Sequence, residues 1–106
     1  MGFFDLFKKP DIYAGLEQCK ATPGAVLLDV READEFAAGH IPGSINLPLS
    51  VIDTAETLIP DCDTPIFAYC LVGSRSARAV QRLHTIGYKK AVSIGGIRDY
   101  KEALEQ

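Results

Sequence analysis

The sequence predicts an α/β fold, an open parallel central sheet flanked by helices on both faces, from two observations. Four short apolar runs, expected to be strands, lie at residues 25–30, 44–47, 65–70 and 91–94. The first, third and fourth runs are nearly continuous rather than alternating, which is typical of strands covered on both faces. Segments with helical periodicity separate the runs, and this alternation indicates parallel strands joined by right-handed crossovers.

Five segments carry the helical pattern: residues 11–20, 31–39, 50–60, 74–87 and 97–106. Asp11 follows Pro10 and is the expected N-cap of the first segment, and Ser50 and Asp53 have capping-box spacing in the third. Four of the segments have an apolar stripe that is expected to face the core, and that of residues 50–60 consists of Ile52, Ala55 and Leu58 or Ile59. The other three stripes are Ile12, Leu16 and Cys19; Ala77, Val80 and Leu83; and Ile97, Tyr100 and Leu104.

Length and composition indicate one small globular domain. The chain has 106 residues, of which 47% are hydrophobic and 24% charged, and its net charge is −3. Such an acidic chain lacks the basic surface that binding to nucleic acid or to an anionic membrane requires. Residues 1–10 are interpreted as an apolar N-terminal arm that packs on the domain, and residues 11–106 as the domain itself. A membrane-touching or partner-binding arm is the alternative, because two lysines follow its apolar residues.

The three cysteines, Cys19, Cys62 and Cys70, are odd in number, and no secretory signal is recognisable before them. A disulfide framework is therefore not expected, and the cytoplasm is the expected location. The sequence contains no CxxC pair, and neither histidine stands at ligand spacing from a cysteine. We therefore expect neither a metal site nor a cofactor.

Residues 69–80, YCLVGSRSARAV, join the third predicted strand to a helix and form the candidate site. In open parallel sheets ligands bind beyond the carboxyl ends of the strands, and Cys70 is predicted at such an end. Gly73 allows a sharp turn, and N–H groups at the start of the next helix can stabilise an anion such as a thiolate. Arg75 adds a permanent cation there. The alternative is that Cys70 is a buried core cysteine and residues 73–76 a turn with a helix cap.

Three blocks of the sequence resemble the rhodanese domain family. Residues 27–48 (LLDVREADEFAAGHIPGSINLP) are similar to the first signature of the family, and residues 69–83 (YCLVGSRSARAVQRL) to its active-site loop and following helix. Residues 93–104 (SIGGIRDYKEAL) are similar to its closing double-glycine block, with Tyr100 where many members have a tryptophan. The blocks occur in the order of the family.

The resemblance implies a sulfurtransferase. In that family a cysteine thiolate takes the sulfane sulfur from a donor such as thiosulfate, becomes a persulfide, and passes the sulfur to cyanide or a thiol. It implies Cys70 as the nucleophile, and as substrate-holding residues Leu71, Val72, Gly73, Ser74, Arg75 and Ser76. The implied partners are a small-molecule sulfur donor and a thiol acceptor, with a protein persulfide or a thioredoxin-like reductant as further options. The chain is expected to be a monomer or a weak homodimer, and whether Cys19 or Cys62 resolves the persulfide stays open.

Within the family that the sequence resembles, the length of the loop distinguishes members that transfer sulfur from members that act on phosphate or arsenate. Relatives that act on phosphate or arsenate have one more residue between cysteine and arginine, whereas four residues separate Cys70 from Arg75. A thiol phosphatase or arsenate reductase is thus the alternative enzyme, and a non-catalytic binding module is the alternative outside catalysis. Leu71 and Val72 are apolar where strong thiosulfate users often have basic residues. A protein persulfide or a small organic persulfide therefore fits this loop at least as well as thiosulfate.

The remaining polar residues of the first block are expected to be structural. Arg31 and Glu35, separated by one helical turn, are predicted to pair. Asp29, at the end of its strand, is expected to orient Arg31 or a neighbouring backbone. His40 is expected to fix its loop by a hydrogen bond rather than to act as a base.

Overall fold

The parallel sheet predicted from the apolar runs is present in the computed structural model, which describes residues 10–106. Its strands are β1 (Val26–Asp29), β2 (Ile45–Asn46), β3 (Ile66–Cys70) and β4 (Ala91–Gly96). All neighbouring strands are parallel, and their order is β2-β1-β3-β4. The α/β fold and its open parallel sheet are thus confirmed. The predicted N-terminal arm lies, apart from Pro10, outside the described residues.

In the part of the chain that the structure describes, three α-helices connect and flank the strands. They are α1 (Ile12–Ala21), α2 (Ala33–Ala38) and α3 (Ser74–Thr85). Asp11 is the N-cap of α1, as predicted, and its side chain accepts a hydrogen bond from the Tyr13 N–H at 3.0 Å. Within residues 10–106, no helix is long and apolar enough to cross a membrane.

The segment predicted as a helix over residues 50–60 is instead a kinked 3₁₀ helix, Leu49–Thr57. Its N-cap is Pro48, so the capping box predicted for Ser50 and Asp53 is wrong. The reason is that the Asp53 carboxylate is bound by Arg82 of α3, at 2.6 and 2.9 Å, and does not turn back to the start of its own segment.

The core has two halves, one on each face of the sheet. In β3, all five residues are buried, and they alternate between the halves. Ile66, Ala68 and Cys70 pack with α3 and the 3₁₀ segment, whereas Phe67 and Tyr69 pack with α1. This two-sided burial explains why the run is continuously apolar, and it confirms that helices cover both faces.

The face of α3 that meets the sheet differs from the predicted one by one position. Its buried residues are Ser76, Ala79, Val80 and Leu83. Ala77 is exposed, so its predicted place in the core is wrong. A serine does not count as a core residue in a hydrophobic pattern, yet Ser76 is fully buried because its hydroxyl finds partners there.

The predicted C-terminal helix over residues 97–106 is wrong. Only Ile97–Asp99 form a short 3₁₀ helix, after which the chain is irregular. Near its end, Glu105 pairs with His40 through two backbone hydrogen bonds of 2.8 Å each. The spacing of the apolar residues fits a helix, but pairing with a distant segment overrides this weak local preference.

Candidate active site

The carboxyl ends of β1, β3 and β4 meet at one edge of the sheet, where the sequence predicts the site. Cys70 is the last residue of β3 and pairs with Gly96 of β4. The loop that follows Cys70 lies directly on β4: a Cβ added at Gly96 would be 2.7 Å from the Val72 Cα and would overlap the Leu71 carbonyl. A glycine is therefore required at this position of the double-glycine block.

The Cys70 sulfur lies in a cradle of hydrogen-bond donors formed by the start of α3. Gly73 is the N-cap of α3 in the left-handed region, with φ at +109°. In this turn, the N–H groups of Gly73 and Ser76 donate to Cys70 Sγ at 3.0 and 3.3 Å. The Ser76 hydroxyl lies 3.6 Å from the same sulfur.

Burial and the cradle act in opposite directions on the Cys70 pKa. Burial raises the pKa, but the hydrogen bonds from the Ser76 hydroxyl and from the N–H groups of Ser76, Gly73 and Val72 lower it by more. The pKa of Cys70 therefore lies below its ordinary value, which favours the nucleophilic thiolate. Hydrogen bonds from neutral groups lower this pKa, and the attraction between Cys70 and the charge of Arg75 raises the pKa of Arg75.

Arg75 lies at the edge of the site but is paired with Glu35 of α2. Its guanidinium donates two parallel hydrogen bonds to the Glu35 carboxylate, Nη1 to Oε1 at 2.7 Å and Nη2 to Oε2 at 3.0 Å. These hydrogen bonds hold the pKa of Glu35 at about 2. The predicted pair of Arg31 and Glu35 is wrong, because α2 turns Glu35 toward α3 rather than toward the chain that precedes it.

Arg31 belongs to a separate buried group at the end of β1. Asp29 accepts hydrogen bonds from the backbone N–H of Arg31 at 2.9 Å and from its guanidinium at 2.7 to 3.1 Å. The prediction that Asp29 orients Arg31 is thus confirmed. The His40 ring is also placed as predicted, with Nδ1 2.9 Å from the Phe36 carbonyl oxygen.

The opening of the loop is apolar. Leu71 is 42% exposed and Val72 is 50% exposed, and Ser74, at the start of α3, is exposed as well. From Arg75, an open groove of about 770 Å³ runs between α3 and the 3₁₀ segment. A molecule that approaches Cys70 therefore meets two aliphatic side chains and one paired arginine.

The other two cysteines lie far from this site. Cys62 packs beside Gly87, just beyond the C-terminal end of α3, whereas Cys70 lies at its N-terminal end. α3 has 12 residues, which corresponds to about 18 Å along its axis. Cys19 belongs to α1 and lies on the opposite face of the sheet. Over residues 10–106, no group of His, Cys, Asp and Glu side chains is arranged to hold a metal ion.

These features define a class of protein: a small parallel α/β domain with a buried cysteine held by the N-terminal turn of a helix. A model of the rhodanese-like domain family matches residues 10–103. The chain belongs to this family, and the resemblance seen in the sequence is confirmed.

Individual relatives agree with this assignment. The chain is 32% identical to the human thiosulfate:glutathione sulfurtransferase over 104 residues, which covers 86% of this chain and 89% of that protein. It is 33% identical over 96 residues to the adenylyltransferase and sulfurtransferase uba4 of Ogataea parapolymorpha, covering 90% of this chain. The match spans only 25% of that fungal protein's length. Among solved structures, the human single-domain sulfurtransferase TSTD1 superposes with a TM-score of 0.74 at 29% identity, covering 91% of this chain and 100% of that one.

Proposed function

We propose that this protein is a sulfurtransferase in which Cys70 carries the transferred sulfur as a persulfide. The observation that carries the proposal is the cradle around Cys70 Sγ, where two backbone N–H groups and a serine hydroxyl face the sulfur. Such a cradle stabilises a thiolate before transfer, and an N–H cradle of this kind suits the anionic persulfide that follows. The names of the relatives, thiosulfate:glutathione sulfurtransferase and single-domain sulfurtransferase, support the same reaction class.

The proposed reaction has two steps, each an exchange at sulfur. In the first, the Cys70 thiolate attacks the outer sulfur of a donor persulfide, the donor S–S bond breaks, and the donor leaves as a thiolate. In the second, an acceptor thiolate attacks the outer sulfur of the Cys70 persulfide and releases the Cys70 thiolate. Neither step needs a metal or an external oxidant. The sulfane sulfur keeps its oxidation state, and the departing thiolate carries away the negative charge that the attacking thiolate brought.

The entrance of the loop favours an organic or protein persulfide over thiosulfate as the donor. Leu71 and Val72 present aliphatic surface at the opening, which suits a donor with an apolar or polypeptide substituent. The charge of Arg75, the cation that would attract a small dianion, is compensated by Glu35 at 2.7 Å. Residues 71–76 are thus proposed to hold the donor by shape and by N–H groups more than by net charge.

The proposal is tested by loading the protein with sulfur and locating that sulfur. The purified chain is incubated with glutathione persulfide or with thiosulfate, and the modified peptide is identified by mass spectrometry. We expect one added sulfur on Cys70, transfer of that sulfur to free glutathione, and loss of both in Cys70→Ser. The matched control Cys62→Ser retains both.

Three results would contradict the proposal. One is sulfur uptake that is unchanged in Cys70→Ser, which would place the sulfur on another group. The second is hydrolysis of a phosphate ester faster than sulfur transfer, which would favour the phosphatase alternative. The third is absence of turnover with every donor, together with an ordinary Cys70 pKa, which would favour a non-catalytic binding module.

A further inference from the structure

Ser93 is a polar residue in a strand that is otherwise apolar or glycine, AVSIGG. It pairs with Ala68 of β3, and its hydroxyl faces α3 on the same side of the sheet as Cys70. There Ser93 Oγ lies 2.8 Å from Ser76 Oγ, and Ser76 Oγ lies 3.6 Å from Cys70 Sγ. The two hydroxyls and the sulfur thus form a short chain of polar atoms behind the loop.

The single proton of the Ser76 hydroxyl has more acceptors than it can serve. Besides Cys70 Sγ, the carbonyl oxygens of Gly73 and Gly95 lie 3.0 and 3.5 Å from Ser76 Oγ. Carbonyl oxygens and a thiolate can only accept hydrogen bonds, whereas a hydroxyl both donates and accepts. When Cys70 is ionised, the Ser93 hydroxyl is the neighbouring side-chain group that can donate a hydrogen bond to a lone pair of Ser76 Oγ.

We propose that Ser93 is a positioning residue for Cys70: its hydroxyl donates to Ser76 Oγ and so turns the Ser76 proton toward the Cys70 sulfur. A hydrogen bond accepted by a hydroxyl strengthens the one that it donates. A thiolate is also a stronger acceptor than a neutral carbonyl, so the polarised proton goes to the sulfur when Cys70 is ionised. This role of Ser93 rests on the proposed function, because Cys70 is the nucleophile of the proposed reaction.

The charged groups around the loop do not perform this task. Arg75 of α3 is paired with Glu35 of α2, and Arg31 after β1 is paired with Asp29. Glu32, just before α2, is exposed. A substitution at Ser93 leaves all five residues in place, so its effect on Cys70 reports on the hydroxyl chain.

The test is a titration of the Cys70 thiolate by its ultraviolet absorbance. Cys19→Ala and Cys62→Ser are introduced into the background so that Cys70 is the only thiol. Ser93→Val and Ser93→Thr form a matched pair, because they have the same shape and differ in the hydroxyl. We expect Ser93→Val to raise the Cys70 pKa by about 0.5 to 1 unit, the equivalent of one lost hydrogen bond, and Ser93→Thr to retain the original pKa.

Ser76→Ala provides the reference for the chain of hydroxyls. It is expected to raise the Cys70 pKa by at least as much, and adding Ser93→Val to it should cause no further shift, because the two residues act in series. An unchanged pKa in Ser93→Val, or equal shifts in Ser93→Val and Ser93→Thr, would overturn the assignment. So would full additivity with Ser76→Ala.

The titration uses neither sulfur donor nor acceptor, so its outcome is independent of the sulfur-loading experiment. If the pKa shifts as expected but Cys70 takes up no sulfur, the proposed function fails and the role of Ser93 stands. If Cys70 takes up sulfur but Ser93→Val has the original pKa, the role of Ser93 fails and the proposed function stands. The thermal unfolding midpoint of each variant verifies that it is folded during the titration.

Discussion

Two neighbouring strands end in buried groups that carry or can carry a negative charge, and the protein stabilises them in different ways. Asp29 ends β1 and Cys70 ends β3, and both are fully buried. The Asp29 carboxylate is bound by the guanidinium of Arg31, a full positive charge at 2.7 Å. The Cys70 sulfur is bound by N–H groups and a hydroxyl, all of them neutral.

The difference is the one that the proposed function requires, between an anion that holds the structure together and an anion that acts as a nucleophile. A guanidinium that binds a carboxylate through two donors neutralises its charge and occupies its lone pairs. Backbone dipoles stabilise a thiolate without cancelling its charge. The one arginine of the loop, Arg75, directs its short hydrogen bonds to Glu35 rather than to Cys70. This contrast predicts that substitution of Asp29 lowers the stability of the fold, whereas substitution of Cys70 abolishes the reaction with little change in stability.

The largest effect on stability is expected for Asp29→Ala. Removal of the carboxylate leaves the Arg31 guanidinium buried without its counter-ion, which typically costs about 3–5 kcal/mol in free energy of unfolding. Urea denaturation followed by circular dichroism measures this loss. Cys70→Ser removes no charge partner and is expected to unfold near the wild-type midpoint, although it loses sulfur transfer.

The matched control for Asp29 is Asp53, which binds Arg82 in an equally short pair, 2.6 Å, at the surface. Water solvates both members of that pair, so Asp53→Ala is expected to change the free energy of unfolding little. Equal losses for Asp29→Ala and Asp53→Ala would show that burial of the first pair has no special energetic role.

A smaller effect is expected in the pH dependence of the Cys70 reaction. Hydrogen bonds from Ser76, Gly73 and Val72 lower the folded-state pKa of Cys70, so the thiolate fraction and the rate of persulfide formation are expected to rise with pH through a midpoint below the ordinary pKa of a cysteine. The same shift contributes stability that is fully present above the unfolded-state pKa and is lost as pH falls through the folded-state pKa. Cys70→Ser lacks this increment.

The alkylation rate of exposed Cys62, recorded in the same protein over the same pH range, supplies the internal reference. If the alkylation rate of Cys70 had its pH midpoint at or above that of Cys62, burial would outweigh the hydrogen bonds to the Cys70 sulfur. Neutral groups would then not suffice to stabilise the Cys70 thiolate.

The smallest effect is expected for Glu35→Gln. The substitution removes the negative charge opposite Arg75, while the amide oxygen can still accept the Glu32 N–H that the carboxylate binds at 3.0 Å. The freed cation should favour small dianions. We expect kcat/KM for thiosulfate, relative to that for an organic persulfide, to rise by roughly two- to fivefold, in line with about 0.5–1 kcal/mol for a partly exposed pair. Asp53→Asn, which frees Arg82 instead, should leave the ratio unchanged, and a decrease in Glu35→Gln would contradict the prediction.

The parts of the fold that depend on buried strands were predictable from sequence. The run at residues 65–70 is continuously apolar because both of its faces are covered, and this also predicts that Cys70 comes at the carboxyl edge. The order strand, glycine turn, helix then places N–H groups at the sulfur. Local sequence contains all the information that this arrangement requires.

Features that depend on contacts between distant segments could not be predicted in this way. Glu35 and Arg75 are separated by 40 positions, and only the packing of α2 beside α3 brings them together. The end of the chain has helical spacing, yet Glu105 pairs with His40, 65 positions earlier. For Ser93 a signal did exist: a lone hydroxyl in the fourth strand, at a position that faces the helix after Cys70.

The separation of Cys70 and Cys62 by the length of α3 has a consequence for oxidative damage. A low-pKa thiolate is readily oxidised to a sulfenic acid, which in many proteins is rescued when a nearby thiol closes a disulfide. In this chain Cys62 lies at the other end of the helix and Cys19 on the other face of the sheet. A disulfide from Cys70 to either of them does not fit this arrangement, so rescue of an oxidised Cys70 would require a thiol from another molecule.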